Sequence, residues 1–345
     1  MNPKQPKILI IQTAYIGDVI LATSLIEYIQ SELPNCEIHF FLKKGNESIV
    51  ETSPFIKKVY VWNKSHQKIR SLLKYIFEIR SEKYDYVINI QRFFNSGLIT
   101  ALSGAKEKIG FNKNPLSFLF SKKIIHKIPY FQNDHYLHEV ERNVQLVNSF
   151  IKNRKNLSKL ELKPKIYFTD KDADELKKYQ FTSDYIVIAP SSVWFTKQWH
   201  ESKWIELITH LTKTYKVILL GAPSDLPYIE CLYQKNNENI LNLCGKLSLR
   251  QSALLMRDAI RVIVNDSAPL HLASSVNAKT TAIFCSTVPE FGYTPLSDDH
   301  KLIQLSPRLE CMPCGLHGHK ACPKNHFKCA LDIDVEKVID TIQTT

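Results

Sequence analysis

The chain has 345 residues, 44% hydrophobic and 23% charged, a composition that excludes a disordered protein. It is long enough for two domains, and none of its apolar runs approaches the length of a membrane span. Residues 1–170 carry 26 Lys and Arg against 15 Asp and Glu, whereas residues 171–345 carry 19 of each, so the net charge of +11 lies in the first half. We expect that half to face an anionic partner, although a generally lysine-rich surface would look the same.

The first half predicts alternating strands and helices. An apolar run over residues 7–12 is typical of a parallel strand buried on both faces, and a helical pattern and a second strand over 37–42 follow it. Further strands are predicted over 58–62 and 84–90, and helices over 66–82 and 136–151. Region 104–135 is predicted to be irregular, Lys-rich and aromatic. No signal peptide fits before the first strand, so we expect a cytoplasmic protein.

The second half repeats this alternation. Residues 152–165 are polar and charged, and we predict that they link a first domain, 1–165, to a second, 166–345. Strands are predicted over 185–190, 216–220, 240–243, 261–265 and 279–285, and helices over 201–214, 248–257 and 334–343. The fold class is therefore α/β with two Rossmann-like domains, although the G-x-G-x-x-G fingerprint of dinucleotide binding is absent.

The stretch 261–274 predicts an anion site. A β-branched run ends at Asn265-Asp266-Ser267, and a helical pattern begins at once. Asp266 or Ser267 can cap this helix, and Pro269 suits its first turn. A strand that presents a helix N-terminus offers free N–H groups and a positive dipole end to an anion. We therefore predict that a nucleotide diphosphate binds here, beside Asp266 and His271.

Five short motifs occur in a fixed order along the chain. They are Thr13-Ala14-Tyr15-Ile16-Gly17-Asp18, Pro190-Ser191-Ser192 with Lys197-Gln198-Trp199, Gly221-Ala222-Pro223, Asp266-Ser267-x-x-x-His271, and Cys311-Met312-Pro313-Cys314 with Cys322-Pro323, His326 and Cys329. With these motifs the chain resembles the bacterial lipopolysaccharide heptosyltransferases of glycosyltransferase family 9, most nearly the heptosyltransferase II type. The resemblance covers nearly the whole chain. It implies a GT-B fold, in which two Rossmann-like domains face a central cleft.

The resemblance also implies a reaction. Heptose would pass, with inversion, from ADP-L-glycero-D-manno-heptose to Kdo–lipid A or heptosyl-Kdo–lipid A, without a cofactor or a catalytic metal, at the cytoplasmic face of the inner membrane. Asp18, held by Gly17 in a tight turn, would take the proton of the acceptor hydroxyl; capping the following helix is its alternative role. Lys197 would neutralise the departing diphosphate, whereas an ordinary loop lysine is simply solvated.

Further binding residues follow from the same resemblance. The hydroxyl groups of Ser191 and Ser192 would contact phosphate, Asp225 would bind the ribose, and Leu247 would pack against the adenine. Four residues of the stretch 261–274 would bind the diphosphate: Asp266, Ser267, Ala268 and His271. Ala268-Pro269 replaces the glycine segment usual in the family, which adds a methyl group and removes an N–H where backbone should meet phosphate. A buried core histidine is the alternative for His271. The acceptor candidates in the basic half are Gly17, Arg92, Lys113 and Arg142.

Four clustered cysteines leave two alternatives open. Cys311, Cys314, Cys322 and Cys329 have the spacing C-x2-C-x7-C-x6-C, which could hold a structural zinc ion, although a second C-x2-C is missing. Reduced packing thiols are the alternative. Two other functions also stay open: transfer from another nucleotide sugar in surface glycan synthesis, and non-catalytic binding of an anionic glycolipid or nucleic acid. We expect no nucleic-acid partner, since no recognised module is present, and a transient membrane contact through region 104–135.

Overall fold

The computed structural model describes residues 5–64, 68–128, 136–151, 161–179, 181, 184–234 and 237–343. The chain divides into two compact units. Unit 1 holds the described residues up to Ile128 together with Leu137–Tyr167, and unit 2 holds Tyr136 and the described residues from Phe168 onward. Most of the predicted linker, residues 152–160, lies outside the described residues. In the described ranges, no helix is both long and apolar enough to cross a bilayer.

Unit 1 contains a six-stranded parallel sheet with the strand order β3-β2-β1-β4-β5-β6. Its strands are β1 Lys7–Gln12, β2 Glu37–Lys43, β3 Ile56–Trp62, β4 Tyr86–Asn89, β5 Glu107–Phe111 and β6 Lys122–Ile124. Its helices are α1 Ile16–Glu32, α2 Lys68–Ser81, α3 Phe94–Leu102 and α4 Glu139–Asn148. Because every pair is parallel, the carboxyl ends of all six strands meet at one edge, where ligands of open α/β sheets bind.

The core of unit 1 explains why its central strand is continuously apolar. Ile8 to Ile11 of β1 are fully buried, since helices cover both faces of the sheet. Helix α1 is buried along most of its length and packs on α4, where the Tyr28 hydroxyl donates to Asn148 Oδ1 at 2.6 Å. This packing brings the first turns of α1 and α4 to the carboxyl edge of the sheet.

Unit 2 repeats the plan with the strand order β12-β11-β10-β7-β8-β9, again with parallel pairings. Its strands are β7 Tyr185–Ala189, β8 Lys216–Leu219, β9 Ile240–Asn242, β10 Arg261–Asn265, β11 Thr280–Phe284 and β12 His300–Gln304. Its helices are α5 Asp170–Lys177, α6 Glu201–Leu211, α7 Leu226–Glu230, α8 Leu249–Arg257, α9 Ala268–Ser274, α10 Lys328–Leu331 and α11 Val335–Gln343. The α/β class with two Rossmann-like domains is thus confirmed.

Part of the detail differs from the sequence prediction. Region 104–135 is not irregular throughout, because it contains β5 and β6. Helices α3, α5, α7 and α10 and strand β12 were not predicted. For the two strands β6 and β12 the reason is the exposure of their side chains. β6 and β12 are edge strands whose lysines reach solvent, so they lack the continuous apolar run of a buried parallel strand.

Candidate active site

Asp18 lies in the first turn of α1, directly after the loop that leaves β1. Burial, and after it the negative charge of Glu139 at the start of α4, raise the pKa of its carboxyl group to about 6. The backbone N–H of Tyr15 and the positive charge of Arg92 act in the opposite direction. A carboxylate with a pKa near neutrality suits general base catalysis. The bond from Tyr15, the N-cap residue, shows that Asp18 also helps to cap α1.

A buried polar network fixes the loop before Asp18. The Thr13 hydroxyl donates to Gln91 Oε1 at 2.7 Å, and the Gln91 amide nitrogen donates to Gln12 Oε1. Lys64 Nζ donates to the carbonyl oxygen of Thr13 at 2.6 Å. Sequence reasoning did not assign a role to Gln12 or Lys64, although a polar residue at the end of an apolar strand was a signal for Gln12.

The expectation for Gly17 is wrong in its geometry. Gly17 is the second residue of α1 and is not among the described glycines with positive φ, so no left-handed turn holds Asp18. The helix itself orients the carboxylate, because the Val19 N–H donates to the Tyr15 carbonyl oxygen at 3.2 Å and closes the first turn. Any contact between Gly17 and an acceptor stays a prediction.

Two of the other acceptor candidates are exposed. Arg92 follows β4, the strand that pairs with β1. It lies close enough to Asp18 for its charge to lower the pKa of the Asp18 carboxyl group. Lys113 is exposed in the connection after β5, at the same edge of the sheet. Both remain predictions as acceptor ligands.

The expectation that Arg142 binds the acceptor is wrong, because its side chain is only 1% exposed. Its Nε and one terminal nitrogen each lie 2.8 Å from Glu139 Oε2, and the other terminal nitrogen donates to the Leu137 carbonyl oxygen. His126 Nε2 lies 3.4 Å from the same carboxylate oxygen. Although burial alone would raise the pKa of Glu139, these partners hold it at about 2. Arg142 therefore keeps Glu139 ionised near Asp18 and is not placed to bind an acceptor.

We expect Arg142→Met to lower the free energy of unfolding by about 3 kcal/mol, because it leaves the buried Glu139 charge without its main partner. Removing both charges in Arg142→Met with Glu139→Leu should recover most of the loss. Urea unfolding measures both, and Arg70→Met on the exposed surface of α2 is the control. Equal stability of Arg142→Met and Arg70→Met would contradict the assignment.

A lysine–carboxylate pair lies at the carboxyl edge of the unit 2 sheet. Lys197 Nζ is 2.7 Å from Asp266 Oδ2, and the Thr287 hydroxyl donates to the same oxygen at 2.6 Å. The two side chains are 15% and 7% exposed, so Lys197 is not the solvated loop lysine of the alternative interpretation. Asn265 joins the two loops below the pair by accepting from the Trp199 N–H at 2.9 Å and donating to the Pro190 carbonyl oxygen.

A second polar contact connects the loops after β7 and β8. The Ser191 hydroxyl donates to Asp225 Oδ2 at 2.7 Å, and the Ala222 N–H donates to the same oxygen at 2.9 Å. Gly221 permits this approach, since a Cβ there would lie 3.2 Å from Asp225 Cβ and 2.7 Å from Ile229 Cδ1. An acid fixed in this way could accept hydrogen bonds from ribose hydroxyls, which stays a prediction.

The remaining donor candidates lie around these two contacts. Ser267 is the N-cap residue of α9, but its hydroxyl donates to the Ser191 carbonyl oxygen at 3.3 Å and does not cap the helix. His271 is buried, as its core alternative expects, and its ring centroid is 6.4 Å from that of Tyr293. Ser192, Leu247 and Ala268 are each half-buried. Their contacts with a donor remain predictions.

The cysteine-rich segment, residues 309–327, packs in unit 2, and its cysteines are free thiols. In the part of the chain that the structure describes, no three or more His, Cys, Asp or Glu side chains are positioned to hold a metal ion. Cys311, Cys314 and Cys322 are half-buried, and Cys329 after the segment is buried. Burial raises the pKa of Cys329 to about 12, which keeps it a neutral packing thiol.

This segment also forms one side of the Lys197 turn. The His319 N–H donates to the Thr196 hydroxyl oxygen at 2.7 Å, and the Thr196 N–H donates to the His319 carbonyl oxygen at 3.1 Å. The Ser286 hydroxyl donates to Thr196 Oγ1 at 3.0 Å. Gly318 has a φ of +75°, and a Cβ there would lie 2.8 Å from Thr196 Oγ1 and 3.1 Å from Lys197 Cγ. Sequence reasoning missed Thr196.

We expect Thr196→Val to destabilise the chain by about 1–3 kcal/mol, because the buried Ser286 hydroxyl and the part-buried His319 N–H lose their acceptor. It should also weaken ADP binding, since the turn that carries Lys197 loses its support. Thr196→Ser keeps the hydroxyl oxygen and should resemble the wild type in both respects. Chemical unfolding and calorimetric titration with ADP measure the two effects. Full ADP affinity in a destabilised Thr196→Val would exclude a positioning role.

Two Rossmann-like units, one after the other in the chain, are the architecture of GT-B glycosyltransferases. The sequence model of glycosyltransferase family 9 (heptosyltransferase) matches residues 72–324, which is more than half of the chain, so the chain belongs to this family. It is therefore a glycosyltransferase.

Individual relatives agree over almost their whole lengths. Lipooligosaccharide heptosyltransferase 2 of Campylobacter jejuni is 26% identical over 358 aligned positions, gaps included, which span 98% of each chain. Among solved structures, the family 9 glycosyltransferase of Veillonella parvula superposes with a TM-score of 0.82 at 20% identity, covering 100% of this chain and 98% of that one. Escherichia coli ADP-heptose LPS heptosyltransferase II superposes with a TM-score of 0.79 at 20% identity, covering 98% of both chains. These structures share the GT-B fold with this chain.

Proposed function

We propose that this chain transfers heptose from ADP-L-glycero-D-manno-heptose to the inner core of lipopolysaccharide, at the cytoplasmic face of the inner membrane. Membership of the heptosyltransferase family supports heptose transfer. The Campylobacter jejuni and Escherichia coli relatives, named a lipooligosaccharide heptosyltransferase and an ADP-heptose LPS heptosyltransferase, support a lipooligosaccharide or lipopolysaccharide acceptor and an ADP-heptose donor. The observation that carries the proposal is Asp18, a carboxylate with a pKa near 6 at the carboxyl edge of the basic unit.

In the proposed reaction Asp18 is the general base. Its carboxylate takes the proton of an acceptor hydroxyl while that oxygen attacks the anomeric carbon of the heptose. The bond from that carbon to the diphosphate oxygen breaks, its electron pair leaves with ADP, and the configuration inverts. Proton transfer to a positioned base contributes typically about 10²–10⁴-fold to a rate. The positive charge of unit 1, including Arg92 and Lys113, suits an acceptor that carries Kdo carboxylates and phosphates.

The donor is proposed to bind unit 2. Lys197 neutralises charge that develops on the departing diphosphate, and its pairing with Asp266 fixes the ammonium group before the donor arrives. Ser191, Ser192 and the N–H groups of Ser267 and Ala268 are proposed phosphate contacts. Asp225 is the proposed ribose contact, Leu247 packs against the adenine, and His271 approaches the diphosphate.

A transfer assay with purified protein tests the function. ADP-heptose is supplied with either Kdo–lipid A or heptosyl-Kdo–lipid A, and mass spectrometry detects the added heptose. Product with the second acceptor alone would assign the chain to the second-heptose step, and product with the first alone to the first-heptose step. Absence of product with both would overturn the proposed acceptor class.

Thermal unfolding with nucleotides tests the donor separately. A ligand that binds the native state raises the unfolding temperature according to its concentration and affinity. ADP and ADP-heptose should raise it, whereas UDP and UDP-sugars should leave it unchanged. A shift with UDP-sugars alone would favour the alternative, a GT-B enzyme that uses another nucleotide sugar in surface glycan synthesis.

A further inference from the structure

Five exposed apolar side chains lie at the carboxyl edge of the unit 1 sheet. Phe93 and Phe94 follow β4, Phe118 and Leu119 lie in the connection after β5, and Ile125 follows β6. They are between 48% and 72% exposed, and we call them the apolar edge. Single exposed apolar residues are ordinary, but a group at the ends of three neighbouring strands indicates an interaction site.

Hydrogen bonds hold the connections that carry the apolar edge together. Asn114 Nδ2 donates to the Phe93 carbonyl oxygen at 3.1 Å, which ties the connection after β5 to the one after β4. The Asn112 N–H donates to the Ile124 carbonyl oxygen at 2.8 Å, and Asn112 Oδ1 accepts from the His126 N–H at 3.1 Å. The side chains are therefore presented by a fixed backbone.

The exposed charged side chains beside the apolar edge are basic, and the carboxylates at the same edge of the sheet, Asp18 and Glu139, are the less exposed ones of the reaction site. Residues 86–128 contain a single acidic residue, Glu107, and seven basic ones. Lys106, Lys108 and Lys122 lie with Glu107 at the amino ends of β5 and β6, whereas the other four are exposed toward the carboxyl edge: Arg92, Lys113, Lys123 and Lys127. Glu107 begins β5, at the opposite edge of the sheet, and lies 2.9 Å from Lys122. Lys113, Lys123 and Lys127 are exposed beside the apolar edge. Aromatic and aliphatic side chains among lysines match the interface of an anionic bilayer.

We propose that the apolar edge inserts into the headgroup region of an anionic phospholipid bilayer and holds unit 1 on the membrane. This inference rests on the proposed function only in taking a membrane glycolipid as the acceptor. The strand order of the sheet supports this proposal, because β4, β5 and β6 lie side by side next to β1. Neighbouring strands are about 4.8 Å apart. The end of β6 then lies roughly 15 Å from the end of β1, and Asp18 lies near that end in the first turn of α1.

Vesicle binding by the full chain tests the inference without any acceptor or donor. Wild type should sediment with vesicles that contain phosphatidylglycerol and not with vesicles of phosphatidylcholine alone. Phe118→Ser with Ile125→Ser should lower the partition coefficient at least about tenfold. Lys123→Gln with Lys127→Gln should lower it and reduce its dependence on salt. The control is Phe77→Ser, which removes a 71% exposed phenylalanine from α2 and should bind as the wild type does.

An activity assay separates the membrane surface from the reaction. With an acceptor embedded in vesicles, Phe118→Ser with Ile125→Ser should lose at least about tenfold in rate, and with a delipidated water-soluble acceptor it should keep wild-type turnover. Loss in both assays would overturn the inference and place these residues at the reaction. It would also be overturned if wild type ignored phosphatidylglycerol, if Phe77→Ser lost as much binding, or if duplex DNA displaced the vesicles. A chain that binds vesicles but transfers no heptose would refute the proposed function alone.

Discussion

Asp18→Asn should lower kcat by about 10²–10⁴-fold while the affinity for ADP stays unchanged, because an amide cannot take the acceptor proton. The substitution keeps the shape of the side chain and can still accept the hydrogen bond from the Tyr15 N–H. Steady-state kinetics with ADP-heptose and an inner-core acceptor measure kcat, and calorimetric titration measures ADP affinity. Near wild-type turnover in Asp18→Asn would show that another group is the base.

Asp85→Asn is the matched control for this loss. Asp85 is an aspartate of the same unit, ion-paired with Lys106 Nζ at 2.7 Å, but it precedes β4 at the opposite edge of the sheet. We expect it to change stability slightly and turnover not at all. A large loss of turnover in both variants would mean that the assay reports unfolding of unit 1.

The pH dependence of kcat/KM gives a second, independent test of Asp18. A base must be deprotonated, so with a pKa of about 6 the rate constant should fall about tenfold for each pH unit below that value. Glu139→Gln removes a negative charge and should move this limb to lower pH, whereas Arg92→Gln removes a positive charge and should move it to higher pH. The two opposite shifts identify Asp18 as the titrating group, since a general loss of stability would not reverse sign.

The sequence predicts the central strands well because their burial on both faces requires a continuous run of apolar residues. β1, β7 and β10 are covered on both faces, so each is a continuous apolar run that needs no partner to be recognised. β6 and β12 lie at the edges of their sheets, where lysines and other polar side chains reach solvent and break that signal. Their existence depends on the neighbouring strand, which a single sequence does not show.

The same distinction applies to the site residues. Asp18 and Asp266 could be placed because a residue that follows a buried parallel strand must reach the ligand edge. The position of Arg142 could not be predicted, because the packing of α4 on α1 decides which face of α4 is buried. On that buried face the charge of Arg142 is stabilised by its ion pair with Glu139. Thr196 was missed because its partners His319 and Ser286 are 123 and 90 residues away in the chain.

Lys197→Ala should lower kcat/KM for ADP-heptose by about 10²–10³-fold, the size of effect seen when one preorganised donor to a developing anion is removed. Two causes act together. The departing diphosphate loses a positive charge, and Asp266, 7% exposed and 2.7 Å from Lys197 Nζ, is left as a buried carboxylate without its counter-ion. That unpaired negative charge would repel the donor.

A double variant separates the two causes. Lys197→Ala with Asp266→Asn removes the repulsion and should recover part of the ADP affinity, measured by calorimetric titration, without restoring turnover. Lys203→Ala on α6, whose Nζ lies 4.0 Å from Glu206 Oε2, is the control and should bind ADP as the wild type does. Unchanged donor kinetics in Lys197→Ala would remove this lysine from the site. Equal ADP affinity in the single and double variants would show that Asp266 exerts no repulsion, so the lost positive charge alone would account for the effect.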